Sequence, residues 1–158
     1  MHTTIDDFDI RIADPESDEA RACLNAYFDL LVERVDGMMR SHVPDPDPHA
    51  AAFRRPGGTF LLACRRDAPV GCVSLKTLSP GVGEIKRLWV DASARGHGLA
   101  RLLMHRVEAE ARALGLHRLQ LDTSGVLTEA IALYRSEGWT DIPAYSGFPA
   151  THWFGKIL

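Results

Sequence analysis

The segment from Glu84 to Thr123 constrains the fold of this chain most strongly. It begins with an apolar run, passes through the turn RGHG at residues 95–98, and continues as a helical pattern that ends near Gly115. After that glycine, LHRLQLDT alternates apolar and polar residues, so the order strand, helix, strand is predicted. Two strands joined by a helix normally lie parallel in one sheet, and we therefore expect a parallel pair.

The remaining strands are predicted from other apolar runs. Residues 7–13 alternate apolar and polar side chains, and residues 58–78 hold two apolar runs around RRDAP, which is typical of a hairpin. The C-terminal THWFGKIL can add a last strand. Because the hairpins come early and the helical crossover comes late, the sequence predicts a mixed sheet.

Two more helices are predicted before and after these strands. Asp14 is expected to cap the first, with Pro15 in its first helical position, and Gly37 is expected to end it. A short helix within LTEAIALYRSEGW is expected to end at Gly138. No repeat or linker interrupts the chain, so residues 1–158 are predicted to form a single domain.

Composition and charge argue against several classes of function. The net charge of −3 and the pI of about 6.1 are untypical of a binder of nucleic acids or anionic membranes. The N-terminal MHTTIDDFDI lacks the features of a secretory signal, so a cytoplasmic protein is expected. Cys23, Cys64 and Cys72 lack metal-ligand spacing and the histidines are not clustered, so reduced thiols and no metal are expected.

The turn at residues 95–98 has the chemistry of an anion site. The N-terminus of a helix exposes up to four backbone N–H groups and the positive end of the helix dipole. Gly96 and Gly98 have no Cβ, so a phosphate can approach the backbone, and Arg95 and Arg101 can add charge-assisted hydrogen bonds. The simpler alternative is a plain strand-to-helix turn that needs glycine for its backbone angles.

Two common phosphate-binding motifs fit this turn poorly. A P-loop ends in Gly-Lys-Ser/Thr, whereas Leu-Ala-Arg follows Gly98. A dinucleotide fingerprint would use Gly96 and Gly98 with an acidic residue at Asp122, but its third small residue, Ala100, comes one position too early.

A third motif fits both the turn and a later segment. Residues 95–100, Arg-Gly-His-Gly-Leu-Ala, match the pattern Gln/Arg-x-x-Gly-x-Gly/Ala, and Leu133, Tyr134, Gly138 and Trp139 match Leu-Tyr-x-x-x-Gly-aromatic. In this order, the two motifs resemble those of the GNAT superfamily of acetyl-CoA-dependent N-acetyltransferases. The resemblance implies an α/β (α+β) fold with a mixed, mostly antiparallel sheet of six or seven strands, parallel splayed central strands and helices on both faces.

The same resemblance implies where acetyl-CoA binds. The splayed strands correspond to residues 84–90 and 117–123, with the pantetheine arm between them and the diphosphate on the backbone of residues 96–101. An asparagine that many members have after the second of these strands is replaced here by Thr123 or Ser124. The expected cofactor-binding residues are Leu88, Trp89, Val90, Arg95, Gly96, His97, Gly98, Leu99, Ala100, Arg101, Thr123 and Tyr134.

Glu84 and Tyr134 are the expected catalytic residues. An amine attacks a thioester only when it is neutral, and Glu84 is a candidate base, at even spacing from Leu88 and Val90 and therefore expected on their face. An ordinary ion pair with a neighbouring cation is the alternative. The resemblance implies that Tyr134 protonates the departing thiolate, and a core tyrosine is the alternative.

These observations predict an acyltransferase that moves acetyl from acetyl-CoA directly to a primary amine of a small molecule, in a ternary complex. The alternatives are a protein or peptide N-acetyltransferase and a non-catalytic acyl-CoA-binding sensor. The proline-rich HVPDPDPHA and the residues Phe148, His152 and Trp153 are candidates for the acceptor side. No nucleic-acid or membrane partner is expected, whereas homodimers are common in the family.

Overall fold

The computed structural model describes residues 2–158, which form one open seven-stranded sheet with three α-helices. The strands are β1 (Phe8–Ile12), β2 (Gly58–Arg65), β3 (Ala68–Ser79), β4 (Val82–Val90), β5 (Arg118–Thr123), β6 (Thr140–Asp141) and β7 (His152–Ile157). The helices are α1 (Asp18–Arg34), α2 (Leu99–Ala113) and α3 (Thr128–Ser136). The order across the sheet is β1-β2-β3-β4-β5-β7-β6, and only β4 and β5 pair in parallel. The predicted mixed sheet and its parallel pair are thus confirmed.

The helices cover both faces of the sheet, as predicted. On one face α2 and α3 pack on the largest core, which contains Val73 of β3 and Leu103 of α2. On the other face α1 packs on a smaller core, in which Cys23 and Cys72 are free thiols. Because successive residues of a strand point to opposite faces, Cys72 and Val73 enter different cores. Leu103 is fully buried, and burial of such a side chain contributes about 1.5–3 kcal/mol.

Helix α1 begins later than the sequence predicted. Its N-cap is Ser17, whose hydroxyl accepts a hydrogen bond from the backbone N–H of Ala20 at 3.3 Å. Asp14 instead accepts a hydrogen bond from the N–H of Glu16 at 2.9 Å and is also bound by Arg54. The predicted cap at Asp14 is therefore wrong, because its carboxylate stabilises the turn before the helix.

A buried ion pair joins α2 to β7. Glu108 is 3% exposed, and its Oε1 lies 2.8 Å from Nζ of Lys156. The same ammonium donates a hydrogen bond to the backbone oxygen of Glu137 at 2.8 Å. Because a carboxylate is costly to remove from water, Glu108 depends on this partner.

Candidate active site

A gap opens between the two parallel strands. β4 pairs with β5 only from Val82 to Glu84, opposite Arg118 to Gln120. Beyond these residues β4 continues to Val90 and β5 to Thr123 without further pairing between them. Because backbone N–H and C=O groups need partners, the unpaired edge of β4 can bind the amides of a ligand that enters the gap.

A bulge in β4 changes which side chains face which core. The register with β3 shifts between Cys72 and Ser74, and Arg87 has a positive φ of 61°. Leu88 and Val90 consequently pack against the α2 and α3 core together with Ile85. Glu84 alternates with Ile85 and therefore lies on the opposite face. The expectation that Glu84 shares a face with Leu88 and Val90 is wrong, because a bulge reverses the alternation.

The bulge is held by contacts from distant segments. Nη1 of Arg87 lies 2.9 Å from Oδ2 of Asp47, and its guanidinium lies 5.3 Å and 5.0 Å from the ring centres of Phe28 and Phe53. Partial burial alone would raise the pKa of Asp47. The hydrogen bonds from the backbone N–H of His49 and from the guanidinium of Arg87 have the larger effect together, and they hold that pKa below its usual range. The pair thus ties the proline-rich loop to β4.

One cavity, which we call the turn cavity, lies beside the glycine turn and has a volume of about 320 Å³. Side chains of α1 and α3 line it as well, among them Tyr27 and Leu133. Of the residues expected to bind the cofactor, it is lined by Leu88, Trp89, Val90, Arg95, Gly96, Gly98, Leu99, Ala100 and Arg101. His97, Thr123 and Tyr134 are not part of its wall.

The glycine turn presents free backbone amides to this cavity. Gly96 and Gly98 have positive φ angles of 81° and 80°, and a Cβ built on either would meet no atom within 4 Å. Gly98 is the N-cap of α2, and the first helical hydrogen bond runs from the N–H of Leu102 to its oxygen at 3.0 Å. The three N–H groups between them therefore have no partner within the helix, which is the arrangement that binds phosphate.

The two arginines at the turn differ in whether they form an ion pair with a carboxylate of the protein. Nε of Arg95 donates to the backbone oxygen of Val90 at 3.3 Å, and its side chain forms no ion pair among residues 2–158. Arg101 instead pairs with Glu137, which also lies 3.0 Å from His105. Hydrogen bonds from His105 and Arg101 lower the pKa of Glu137. Arg95 is thus the freer of the two cations for an anionic ligand.

A second cavity, which we call the loop cavity, has a volume of about 410 Å³. Its wall combines α1 with residues 42–47 of the proline-rich loop, the middle of β4, the end of β5, and residues 146–150. Of the three aromatic candidates, Phe148 lines it, and its ring meets that of His42 edge-on at 6.0 Å. His152 and Trp153 do not line it.

Tyr27 is the residue that lines both cavities. It projects from α1, where its helical spacing with other apolar residues made it resemble a core residue. Burial raises the pKa of Tyr27 well above its usual value, and the charge of Asp122 adds to this effect. Its hydroxyl is therefore protonated at neutral pH.

Glu84 lies in a network of polar side chains behind the loop cavity and lines neither cavity. Its carboxylate accepts a hydrogen bond from the hydroxyl of Tyr145 at 2.8 Å, and Nζ of Lys76 and of Lys86 each lie 3.6 Å from it. Lys86 does line the loop cavity, and its ammonium also lies 3.8 Å from Asp122. Glu84 thus reaches the cavity through Lys86.

Tyr134 is 5% exposed and packs between aromatic rings, 6.1 Å from the ring of Trp139 and 5.9 Å from that of Phe154. Burial raises its pKa, and the nearby Tyr27 and Asp122 raise it further. Its backbone neighbour Leu133 lines the turn cavity. Tyr134 therefore stands behind the wall, on the side of the gap.

Between residues 2 and 158, no group of three or more His, Cys, Asp or Glu side chains is arranged to hold a metal ion. None of the helices in this range is both long enough and apolar enough to cross a membrane.

The chain matches known acetyltransferases in sequence. Residues 20–139 match the model of the Acetyltransferase (GNAT) family. Over 116 residues the chain is 37% identical to an IAA acetyltransferase of Azospirillum brasilense, and the match covers 70% of this chain and 75% of that relative.

Solved structures share the fold. The ribosomal-protein-alanine N-acetyltransferase of Brucella melitensis is 26% identical, with a TM-score of 0.70 over 94% of this chain and 99% of that one. A Salmonella typhimurium structure that contains acetyl-CoA as cofactor is 18% identical, with a TM-score of 0.72 over 95% of this chain and 93% of that one. The second likeness concerns the fold alone.

Proposed function

Because the chain belongs to the GNAT family of acetyltransferases, we propose that it transfers acetyl from acetyl-CoA to a primary amine of a small molecule, directly within a ternary complex. The observation that carries this proposal is the pair of cavities that share Tyr27 in their walls. One presents amides suited to a diphosphate, and the other is a cavity of a size suited to a small molecule.

The turn cavity fits acetyl-CoA in its chemistry. The free amides at the start of α2 and the guanidinium of Arg95 suit the diphosphate, and the unpaired edge of β4 suits the pantetheine amides. Thr123 and Ser124 line the loop cavity and not the turn cavity. We therefore do not propose that either residue replaces the cofactor contact of the asparagine found in many members of the family.

The reaction joins the two cavities at the gap. The neutral amine attacks the thioester carbonyl, a C–N bond forms and the C–S bond breaks. The amine gives up a proton, and the departing thiolate takes one. We propose that Glu84 takes up the amine's proton through intervening water, and that Tyr134 gives its hydroxyl proton to the thiolate and is reprotonated from solvent.

Release of CoA thiol from acetyl-CoA over a panel of amino acids, polyamines, aminoglycosides and peptides tests the proposed function. We expect release with at least one small amine and an acetylated amine as product. Binding of acetyl-CoA without release across the panel would instead identify an acyl-CoA sensor. Peptides are included because of the likeness to the Brucella melitensis enzyme.

We expect Glu84→Gln to lower kcat by at least about 100-fold while acetyl-CoA affinity changes little, because the variant keeps the shape but loses the proton-accepting charge. The pH profile of kcat is the measurement. Tyr145→Phe is the matched control, since it removes the hydrogen bond to Glu84 but leaves the carboxylate. A wild-type kcat for Glu84→Gln at every pH would contradict the role.

We expect Tyr134→Phe to lower kcat by at least about 100-fold, because the variant cannot protonate the thiolate. Steady-state rates at saturating acetyl-CoA measure this. Tyr27→Phe is the comparison, since it removes the other buried hydroxyl near the gap and is expected to cost less. A larger loss in Tyr27→Phe than in Tyr134→Phe would reassign the proton donor to Tyr27.

A further inference from the structure

Most carboxylates in the wall of the loop cavity are matched by a cation of the protein. The close pairs are Glu16 with Arg54 at 3.0 Å, Asp45 with Arg21 at 3.0 Å and Asp47 with Arg87 at 2.9 Å. Paired charges of this kind leave little net charge to attract or repel a ligand.

Arg40 is a cation of this wall without a close carboxylate. It donates to the side-chain oxygen of Asn25, which is neutral. Within 4.0 Å, the one carboxylate among the described residues is Asp29, at 4.0 Å and 73% exposed, so water screens it. The guanidinium lies 5.4 Å from the ring centre of Phe28, which restrains it. Arg40 therefore brings an unmatched positive charge to the cavity.

Asp122 is the carboxylate of the wall to which no cation is hydrogen-bonded. The hydroxyl of Ser146 donates to its Oδ2 at 2.6 Å, whereas Nζ of Lys86 stands 3.8 Å from its Oδ1, beyond hydrogen-bond distance. Asp122 is the penultimate residue of β5 and lies beside the gap. It is thus placed to bind an amine beside the gap.

We propose that the acceptor is a small amino acid, whose amine binds at Asp122 and whose carboxylate binds Arg40. The inference rests on the proposed function. A guanidinium offers parallel N–H donors that match a carboxylate. A polyamine or an aminoglycoside would bring further positive charge to Arg40, and like charges repel.

The rest of the wall favours an apolar side chain on that amino acid. Leu24, Met38 and Val43 line the cavity with Phe148. The volume of about 410 Å³ admits a single amino acid but not a folded domain. Leucine is therefore the probe.

Leucine and leucinamide are compared as acceptors, because they differ in the carboxylate. For the wild type we expect a KM for leucine at least about 10-fold below that for leucinamide, because a charge-assisted pair is lost with the amide. Arg40→Gln is expected to abolish this preference. Arg21→Gln is the matched control, since Arg21 lines the same cavity but is paired with Asp45, and it should keep the preference.

Calorimetric binding of N-acetylleucine in the presence of CoA gives a readout that needs no turnover. The inference is supported if Arg40→Gln weakens the binding of N-acetylleucine by about 10-fold. An unchanged preference in Arg40→Gln overturns it, as does turnover of polyamines or peptides without turnover of any amino acid, although the proposed function then stands. If no amine causes thiol release but the binding of N-acetylleucine still depends on Arg40, the proposed function is overturned and the proposed binding site stands.

Discussion

Replacing Gly98 with aspartate is expected to weaken acetyl-CoA binding by at least about 100-fold, because two charge-assisted hydrogen bonds to phosphate would be lost. The new carboxylate would lie at the N-cap of α2 and bind the free amides itself. Its charge would also repel the diphosphate. Calorimetric titration of the variant with acetyl-CoA measures the loss.

Gly115→Asp is the matched control for backbone strain. Gly115 has a positive φ of 81°, close to the 80° of Gly98, and a Cβ at either position would meet no atom within 4 Å. It lies at the other end of α2, about 22 Å away for a 15-residue helix. Because a carboxylate is unfavourable at the C-terminal end of a helix, we expect Gly115→Asp to lose at least as much stability as Gly98→Asp but to keep normal acetyl-CoA affinity. Equal affinities for acetyl-CoA in the two variants would contradict the prediction.

Lys156→Met is expected to lower the free energy of unfolding by about 3–5 kcal/mol, because it leaves the buried carboxylate of Glu108 without its partner. Urea denaturation, followed by circular dichroism, measures the change. The variant leaves an uncompensated charge on the side chain of Glu108, which is 4% exposed.

The double variant Glu108→Leu with Lys156→Met separates the lost partner from the lost packing. Replacing a buried ion pair by apolar residues is often neutral or stabilising, so the double variant should recover most of the stability. A double variant as unstable as Lys156→Met would show that packing of the lysine stem, and not the unpaired charge, accounts for the loss.

The strand–turn–helix–strand unit could be predicted because its signals are local. Apolar spacing defines β4, α2 and β5, and the glycines mark the turn between them. The placement of Leu88 to Val90 beside the turn follows from the same short stretch. Structural features that depend only on this stretch of about forty residues can be predicted without the rest of the chain.

The bulge at Arg87 could not be predicted in this way. Nothing in KRLWV marks a positive φ, and the partners that hold the residue, Asp47, Phe28 and Phe53, lie far away in the chain. The orientation of Glu84 depends on that bulge. Long-range packing thus determines the face on which Glu84 lies, and even spacing along the strand predicts that face wrongly.

Tyr27 and Glu108 were missed for a related reason. Tyr27 has the helical spacing of a core residue, and only the position of α1 over the gap places it between two cavities. Glu108 stands among the charges of α2, and nothing in the sequence separates it from Glu110. Its burial follows from Lys156, which reaches it from the last strand.

Calorimetry with CoA and with pantetheine, which lacks the diphosphate, tests the central claim most directly. The wild type should bind CoA at least about 100-fold more tightly than pantetheine, and Gly98→Asp should remove most of that difference. Equal affinities of the wild type for the two ligands would show that the amides at the start of α2 do not hold the diphosphate.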